Sequence, residues 1–287
     1  MALKVDKPAE LMSFLAENFP RKNRHNIKTL LRCKQVIVDG KIVTQYNYKL
    51  QAGQEIEIAS GRIEKEKPLK GLHIVYEDHH IIVIDKQSGI LSMGTDTEHK
   101  QTAYHLLSTH VKQQDPDNKI FIIHRLDRDT SGLMVFAKSE DIKLQFQENW
   151  AEIITERSYI AVVEGVPKES KGTVKSYLRE GSSLKVYSSQ NPDNGQLSIT
   201  HYAILKSGHS YSLLKIDPET GRKNQIRVHM SDLGYSIAGD KKYGAKTNPV
   251  GRLCLHALIL SFVHPVTHEK MYFRSSVPRK FTSLFKE

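Results

Sequence analysis

Early in the chain the apolar positions keep a helical spacing that soon gives way to a strand-like one. Leu11, Phe14 and Leu15 follow Asp6 and Pro8 at i, i+3 and i+4, which predicts a short helix. After Pro20, Ile27, Leu30 and Leu31 repeat that spacing, while Arg21, Arg24, Lys28 and Arg32 fall at i, i+3, i+7 and i+11. A basic stripe therefore runs beside an apolar one. VIVDGKIV comes next, two β-branched runs joined by Asp39-Gly40, which predicts a tight hairpin. Glu55-Ile56-Glu57-Ile58 alternates as a further strand, and residues 61–70, GRIEKEKPLK, carry charge and proline without an apolar period. They predict a linker between a small domain, residues 1–60, and a larger one, residues 71–287.

The larger domain opens a different pattern: HIVYED, HHIIVIDK, IFIIHRL, LMVFAKS, YIAVVEG, SLLKID and HALILSFVH are short β-rich runs. Helical windows interrupt them at 102–111 and 140–151. Strands at irregular spacing, without a repeating βαβ period, predict an α+β fold on a mixed, largely antiparallel sheet.

Composition adds one informative quantity. Forty-two Lys+Arg against 32 Asp+Glu leave a formal net charge of +10, which points to a polyanionic partner. No run approaches the roughly eighteen apolar residues of a membrane span, so no membrane partner is expected. MALKVDKPAE, the first ten residues, carries four charges and no apolar signal core, which predicts a cytoplasmic protein. Cys33 and Cys254 fit no metal or redox spacing and are expected as reduced thiols.

Three stretches of the larger domain concentrate unusual polar residues. HRLDRDTSG, residues 124–132, places Asp127 between Arg125 and Arg128 and follows it with Asp129, Thr130, Ser131 and Gly132. Two interpretations fit. Asp-Thr-Ser-Gly is what a tight turn prefers, with Asp129 as a cap, and alternating surface charges contribute little. Alternatively, flanking guanidinium groups hold Asp127 ionised in a partly dry cleft, ready for chemistry. ERSYIAVVEG starts an alternating strand at Tyr159, a strand aromatic or a functional hydroxyl. TGRKNQIRVHM crowds Arg222, Lys223, Arg227 and His229 together, and its apolar positions fit a strand and a helix equally.

Competing chemistries lack their parts. There is no GxxxxGK[ST] loop and no GxGxxG, so a nucleotide cofactor has no visible seat. The 14 histidines contain no HExxH, and His79-His80 fall in a predicted strand, facing opposite ways, so no metal is expected. No GxSxG elbow is present.

The motifs HRLDRDTSG, YIAVVEG and TGRKNQIRVH, in that order, followed by GDKKYG and LHALILSFVHP, resemble those of the RluA-type RNA pseudouridine synthases. The segment 8–60 resembles the S-four domain, a small α/β RNA-binding module named after a ribosomal small-subunit protein. These resemblances imply an isomerase of the pseudouridine synthase fold that converts uridine to pseudouridine without a cofactor. They imply Asp127 as the carboxylate acting at the ribose, as nucleophile or as base, with Arg227 as its ion-pair partner. They place Tyr159 against the uracil and Arg125 in the space left by the flipped base. Arg222 and the stripe of Arg21, Arg24, Lys28 and Arg32 are the expected RNA contacts. The implied substrate is large-subunit ribosomal RNA, with transfer RNA as the alternative and a monomer as the working unit. A non-catalytic RNA-binding or ribosome-assembly factor on the same fold is the competing class. Lys223-Asn224 stands where the family usually has Thr-His, and Lys86-Gln87 where it has Lys-Pro.

Overall fold

The computed structural model describes residues 2–20, 22, 24–32, 35–59, 69–95 and 98–285. They gather into two compact units, Met1–Pro68 and Leu69–Glu287. Arg21, Cys33 and residues 61–68 of the expected linker lie outside the described residues.

In the first unit, β1 (Ala2–Lys4), β2 (Ala9–Glu10), α1 (Leu11–Asn18), α2 (Arg24–Arg32), β3 (Val36–Val38), β4 (Lys41–Ile42), β5 (Lys49–Leu50) and β6 (Glu55–Ile58) follow one another. The sheet order is β1-β6-β3-β4, with β2 and β5 as a separate pair. Leu11, Phe14 and Leu15 of α1 bury against Ile27 and Leu31 of α2 and against Val36, Val38 and Ile56 of the sheet. That burial leaves Arg24 and Lys28 exposed on the outer side of α2, whose last residue is Arg32. The β3-β4 turn has positive φ at both central residues, Asp39 (48°) and Gly40 (77°), as a type I′ hairpin requires. Asp39 then pins the turn to its neighbour strand, because its carboxylate accepts from Glu55 N–H at 2.8 Å and Gln54 Nε2 at 2.7 Å.

The second unit runs β7 (Leu72–Glu77), β8 (Ile81–Lys86), α3 (Ala103–Gln114), β9 (Phe121–Ile122), β10 (Ser131–Ala137), α4 (Glu140–Glu148), α5 (Trp150–Ile153) and β11 (Ile154–Glu164). It continues with β12 (Lys171–Glu180), β13 (Val186–Ser189), β14 (Gln196–Ser207), β15 (Tyr211–Pro218), α6 (Gln225–Asp232), β16 (Leu255–Val263), β17 (Lys270–Arg274) and α7 (Arg279–Thr282). The strands form one sheet in the order β13-β12-β14-β15-β11-β16-β10-β8-β7, with β17 on β16 and β9 on β10. The β10-β16 pair is parallel and the other registers are antiparallel, so the sheet is mixed and largely antiparallel, as expected. All seven residues of β10 are buried. Met134 and Phe136 enter one apolar cluster and Leu133, Val135 and Ala137 another, which explains why SGLMVFA is apolar without alternation.

Both helical windows are present, and each opens on a side-chain cap. Thr102 Oγ1 accepts from His105 N–H, and Ser139 Oγ from Ile142 N–H. Within the ambiguous TGRKNQIRVHM, the part from Gln225 onward opens a helix, α6, that is buried on two sides. Ile226 and Met230 join the main core while Val228 packs with Leu178, Val186 and Tyr243, and this double burial produces the strand-like alternation. Two expectations need correcting. His79-His80 form the bend between β7 and β8, where Asp78 Oδ1 accepts from His80 and Ile81 N–H, and are not strand residues. IFIIHRL contributes only Phe121–Ile122 as strand.

Gly132 sits where the parallel strands come closest. Its φ is +113°, and a Cβ there would stand 2.1 Å from Ala257 O and 2.6 Å from Ala257 N. A side chain would force β10 from β16, so Gly132→Ala should destabilise the unit by at least about 3 kcal/mol or prevent folding. Urea unfolding at wild-type midpoint would contradict this. Two buried histidines give a pH prediction. Ser176 Oγ and Thr200 Oγ1 lie 3.0 and 2.8 Å from the ring nitrogens of His229; Ser131 Oγ and Ser275 Oγ lie 2.8 and 3.1 Å from those of His256. Burial pushes both imidazoles down to about 4. Below the usual ~6.5 the unfolded chain binds protons that the folded one refuses. This stabilisation is complete above ~6.5 and lost as pH falls toward 4. Unfolding free energies between pH 7 and 4.5 should fall, and His229→Gln should make the fall shallower.

Candidate active site

The loop that carries Asp127 is tied down from below by its backbone carbonyls. Lys86, at the end of β8, is 0% exposed. Its Nζ donates to the carbonyls of Ile90 (2.7 Å), Arg128 (3.1 Å), Gln87 (3.2 Å) and Asp127 (3.3 Å). Ser92 Oγ donates to Leu126 O at 2.6 Å and Ser88 Oγ to Asp129 O at 2.8 Å. Four successive carbonyls, 126 to 129, are therefore held, and the Thr130 N–H closes a turn onto Asp127 O at 3.2 Å. With its main chain fixed, Asp127 has its side chain in the pocket. Burial pushes the Lys86 ammonium down to about 8, against the pull of the Asp127 carboxylate. Behind the loop, Ser131 Oγ accepts from Arg252 Nη1 at 2.9 Å and contacts His256, which leads through Ser275 to Asp85.

The cation beside Asp127 comes from far away in sequence. Arg227 Nη1, on α6, donates to Asp127 Oδ2 at 3.2 Å and to Asn224 Oδ1 at 3.1 Å. Its Nε and Nη2 donate to Asp240 Oδ2 and Oδ1 at 2.7 and 2.8 Å. Burial opposes the charge, yet the Asp240 and Asp127 carboxylates hold the guanidinium above its ordinary value. Arg128, one of the two flanking arginines, instead pairs with Asp129 at 3.2 Å on the surface. The flanking-guanidinium interpretation is thus corrected: the cation hydrogen-bonded to Asp127 is Arg227 from α6, the flanking Arg125 lines the same pocket, and the other flanking residue, Arg128, pairs with the Asp129 carboxylate.

Tyr159, 7% exposed on β11, lines the same pocket as Asp127 and Arg227. Burial raises its hydroxyl above the usual phenol range, with the Arg157 charge opposing. Arg125, Arg157 and Arg222 also line this pocket, so four arginines share it with Asp127, the only carboxylate among the described lining residues. Such a pocket attracts a polyanion and holds one anion inside it. Arg222 Nε reaches Leu197 O at 3.5 Å, while Arg157 Nη2 anchors the loop before α6 through Thr220 O (2.8 Å) and Pro218 O (3.2 Å). Arg24, Lys28 and Arg32 belong to α2 of the first unit. Among the described residues no group of three or more His, Cys, Asp or Glu is placed to hold a metal ion.

Lys86, Arg157, Asn224, Asp240 and Tyr243 were not picked out as site residues by sequence reasoning. Lys86 carried a faint signal, a lysine closing the apolar run IIVID. Asn224, marked in the sequence only as a departure from the family pattern, has φ 54°, a left-handed conformation that asparagine tolerates.

A family model described as RNA pseudouridylate synthase matches residues 80–232, more than half of the chain and all three of Asp127, Tyr159 and Arg227. A Haemophilus influenzae protein named ribosomal large subunit pseudouridine synthase D is 31% identical over 94% of this chain and 88% of its own. An RNA pseudouridine synthase of Bacillus subtilis, itself uncharacterized, is 34% identical over 75% and 76%. Among solved structures, human RNA pseudouridylate synthase domain containing 4 is 27% identical, covering 73% of this chain and 90% of its own with a TM-score of 0.59. Family match, sequence likeness and fold agree: the chain belongs to the RNA pseudouridylate synthase family and is an RNA-directed isomerase.

Proposed function

We propose that Asp127 performs the chemistry at the ribose, with Arg227 as its ion-pair partner and Tyr159 beside the uracil. The observation that carries this is the 3.2 Å contact between Arg227 Nη1 and Asp127 Oδ2 in a pocket shared with Tyr159. The reaction breaks the bond between ribose C1′ and uracil N1, turns the base over and joins C5 to C1′. C5 loses a proton and N1 gains one, so atoms and charge balance without a cofactor. An anion is needed either to attack C1′ or to remove the neighbouring proton, and Asp127 serves both routes. Tyr159, whose hydroxyl burial raises above the usual phenol range, serves in removing the C5 proton, directly or through water. Arg125 fills the stack that the flipped base vacates, and Arg222 holds the strand at the pocket mouth.

The substrate in this proposal is large-subunit ribosomal RNA, supported by relatives whose names carry that substrate. The first unit acts as an S-four-like RNA-binding domain, residues 71–287 as the catalytic domain, and the protein works in the cytoplasm as a monomer. Its helix pair, hairpin and exposed Arg24 and Lys28 support the RNA-binding assignment.

RNA tritiated at uridine C5 tests the catalytic assignment, because either route must release the label to water. Wild type should release it, Asp127→Asn at less than about 10⁻³ of that rate, and Asp129→Asn near wild type. Release by Asp127→Asn at wild-type rate would refute the assignment, and no release by wild type on any candidate RNA would favour a non-catalytic factor. The basic stripe has its own test. Replacing Arg24 and Lys28 with Gln should weaken binding and reduce the slope of log affinity against log salt by about 1 to 2. An unchanged slope in filter binding would remove the stripe from the RNA interface.

A further inference from the structure

Residues 239–244, GDKKYG, sit behind the pocket and do not line it, yet they hold the guanidinium that faces Asp127. Asp240 is 2% exposed, and both of its oxygens are committed to Arg227, one also accepting the Tyr243 N–H at 3.3 Å. The loop itself is rigid. Gly239 N–H donates to Thr247 O at 2.8 Å and Asp240 N–H to Ile237 O at 2.9 Å, and a Cβ on Gly239 would meet Arg252 O at 2.3 Å. Tyr243, buried, lies with its ring 5.0 Å from the Arg227 guanidinium. Its hydroxyl accepts from Asn224 Nδ2 at 2.9 Å and from Val186 N–H at 3.1 Å. The Asn224 carboxamide is thereby oriented with Oδ1 toward Arg227 Nη1.

A guanidinium has five N–H bonds. Asp240 takes one from Nε and one from Nη2, and Asn224 takes one of the two on Nη1. With three directions fixed in one plane, the remaining Nη1–H has a single orientation, toward Asp127. The two contacts differ in kind. Asp240 forms a close bidentate pair at 2.7 and 2.8 Å, whereas Asp127 receives one bond at 3.2 Å. A bidentate pair between Arg227 and Asp127 would occupy both oxygens of the carboxylate that must reach the ribose. Asp240 occupies the Nε–Nη2 edge and so closes that bidentate approach to Asp127.

Resting on the uridine-isomerase assignment above, we propose that Asp240 is a positioning residue: it and Asn224 form a guanidinium receptor that restricts Arg227 to one bond with Asp127 and leaves the second Asp127 oxygen free for substrate. The departure Lys223-Asn224 gains a function in this arrangement, since the left-handed backbone at Asn224 brings a short carboxamide to Nη1.

Asp240→Asn in the full chain should lower the single-turnover rate of tritium release by about 10²-fold while the Kd for RNA stays within about twofold. A wild-type rate, or a loss of affinity matching the loss of rate, overturns the proposal. Because breaking a buried ion pair can unfold the chain, Asn224→Gly is the second variant. Glycine keeps the left-handed backbone and removes the carboxamide with its bonds to Tyr243 and Arg227, so the chain should still fold, at a somewhat lower Tm, while the rate falls about tenfold. An unchanged rate overturns the role of Asn224 in the receptor. Chemical rescue separates positioning from general structural support. Millimolar guanidinium chloride should restore part of the activity of Arg227→Ala saturably, with no such effect from sodium chloride. In Arg227→Ala/Asp240→Asn it should restore none. Equal restoration in both, or none in either, overturns the receptor. Wild-type release on the same RNA distinguishes these failures from failure of the isomerase assignment, which would silence wild type as well.

Discussion

One buried ammonium group underlies the geometry of the pocket. Lys86 has no exposed surface and spends its hydrogen bonds on backbone carbonyls, two of them on the turn that bears Asp127. A buried charge is tolerated only when its donors are satisfied, and an unsatisfied buried carbonyl is itself costly. Each side of this contact therefore requires the other. The loop cannot relax without leaving Lys86 unpaired, and Asp127 inherits that rigidity although its own side chain makes a single long ion pair. Gly132 extends the constraint, because the turn leads directly into the parallel β10-β16 contact, where backbone meets backbone without space for a side chain.

The second organising element is the division of Arg227 between two carboxylates. A largely buried arginine needs anions, and an aspartate proposed to act at the ribose needs a cation that does not immobilise it. Asp240 meets the first need and so relieves Asp127 of it. The remaining guanidinium groups of the pocket, from Arg125, Arg157 and Arg222, give it the cationic lining that an RNA backbone seeks. Lys86, Arg227 and these three arginines surround Asp127 with positive charge at different depths. Lys86 and Arg227 hold the Asp127 turn and its carboxylate through hydrogen bonds.

Much of the fold was legible because local chemistry and tertiary structure agree. Thr102 and Ser139 cap the helices they precede, Asp39-Gly40 makes the turn its dipeptide favours, and the apolar period of α1 and α2 is the period of their shared core. Agreement failed where burial was two-sided. Around α6 the apolar positions alternate like a strand because one side meets the main core and the other meets Leu178, Val186 and Tyr243. The outer strands β12, β13 and β14 were missed for a different reason. Several of their buried positions are polar, Ser176, Ser198 and Thr200 among them, so these strands lack the apolar runs that mark the others.

From residue types and motif order came the chemistry: an aspartate in a turn, a tyrosine opening a strand, an arginine after TGRKNQI, in a chain with a cationic surplus. Local spacing reports only on groups within a few residues, so the sequence offered Arg125 and Arg128 as the neighbours of Asp127. Folding chose differently. Arg128 turns outward to Asp129, while α6 brings Arg227 to Asp127 across 100 positions. Lys86 and Asp240 likewise acquire their roles only when β8 closes on β10 and the loop after α6 folds back behind it. Electrostatic pairing falls off with distance in space and is blind to distance along the chain.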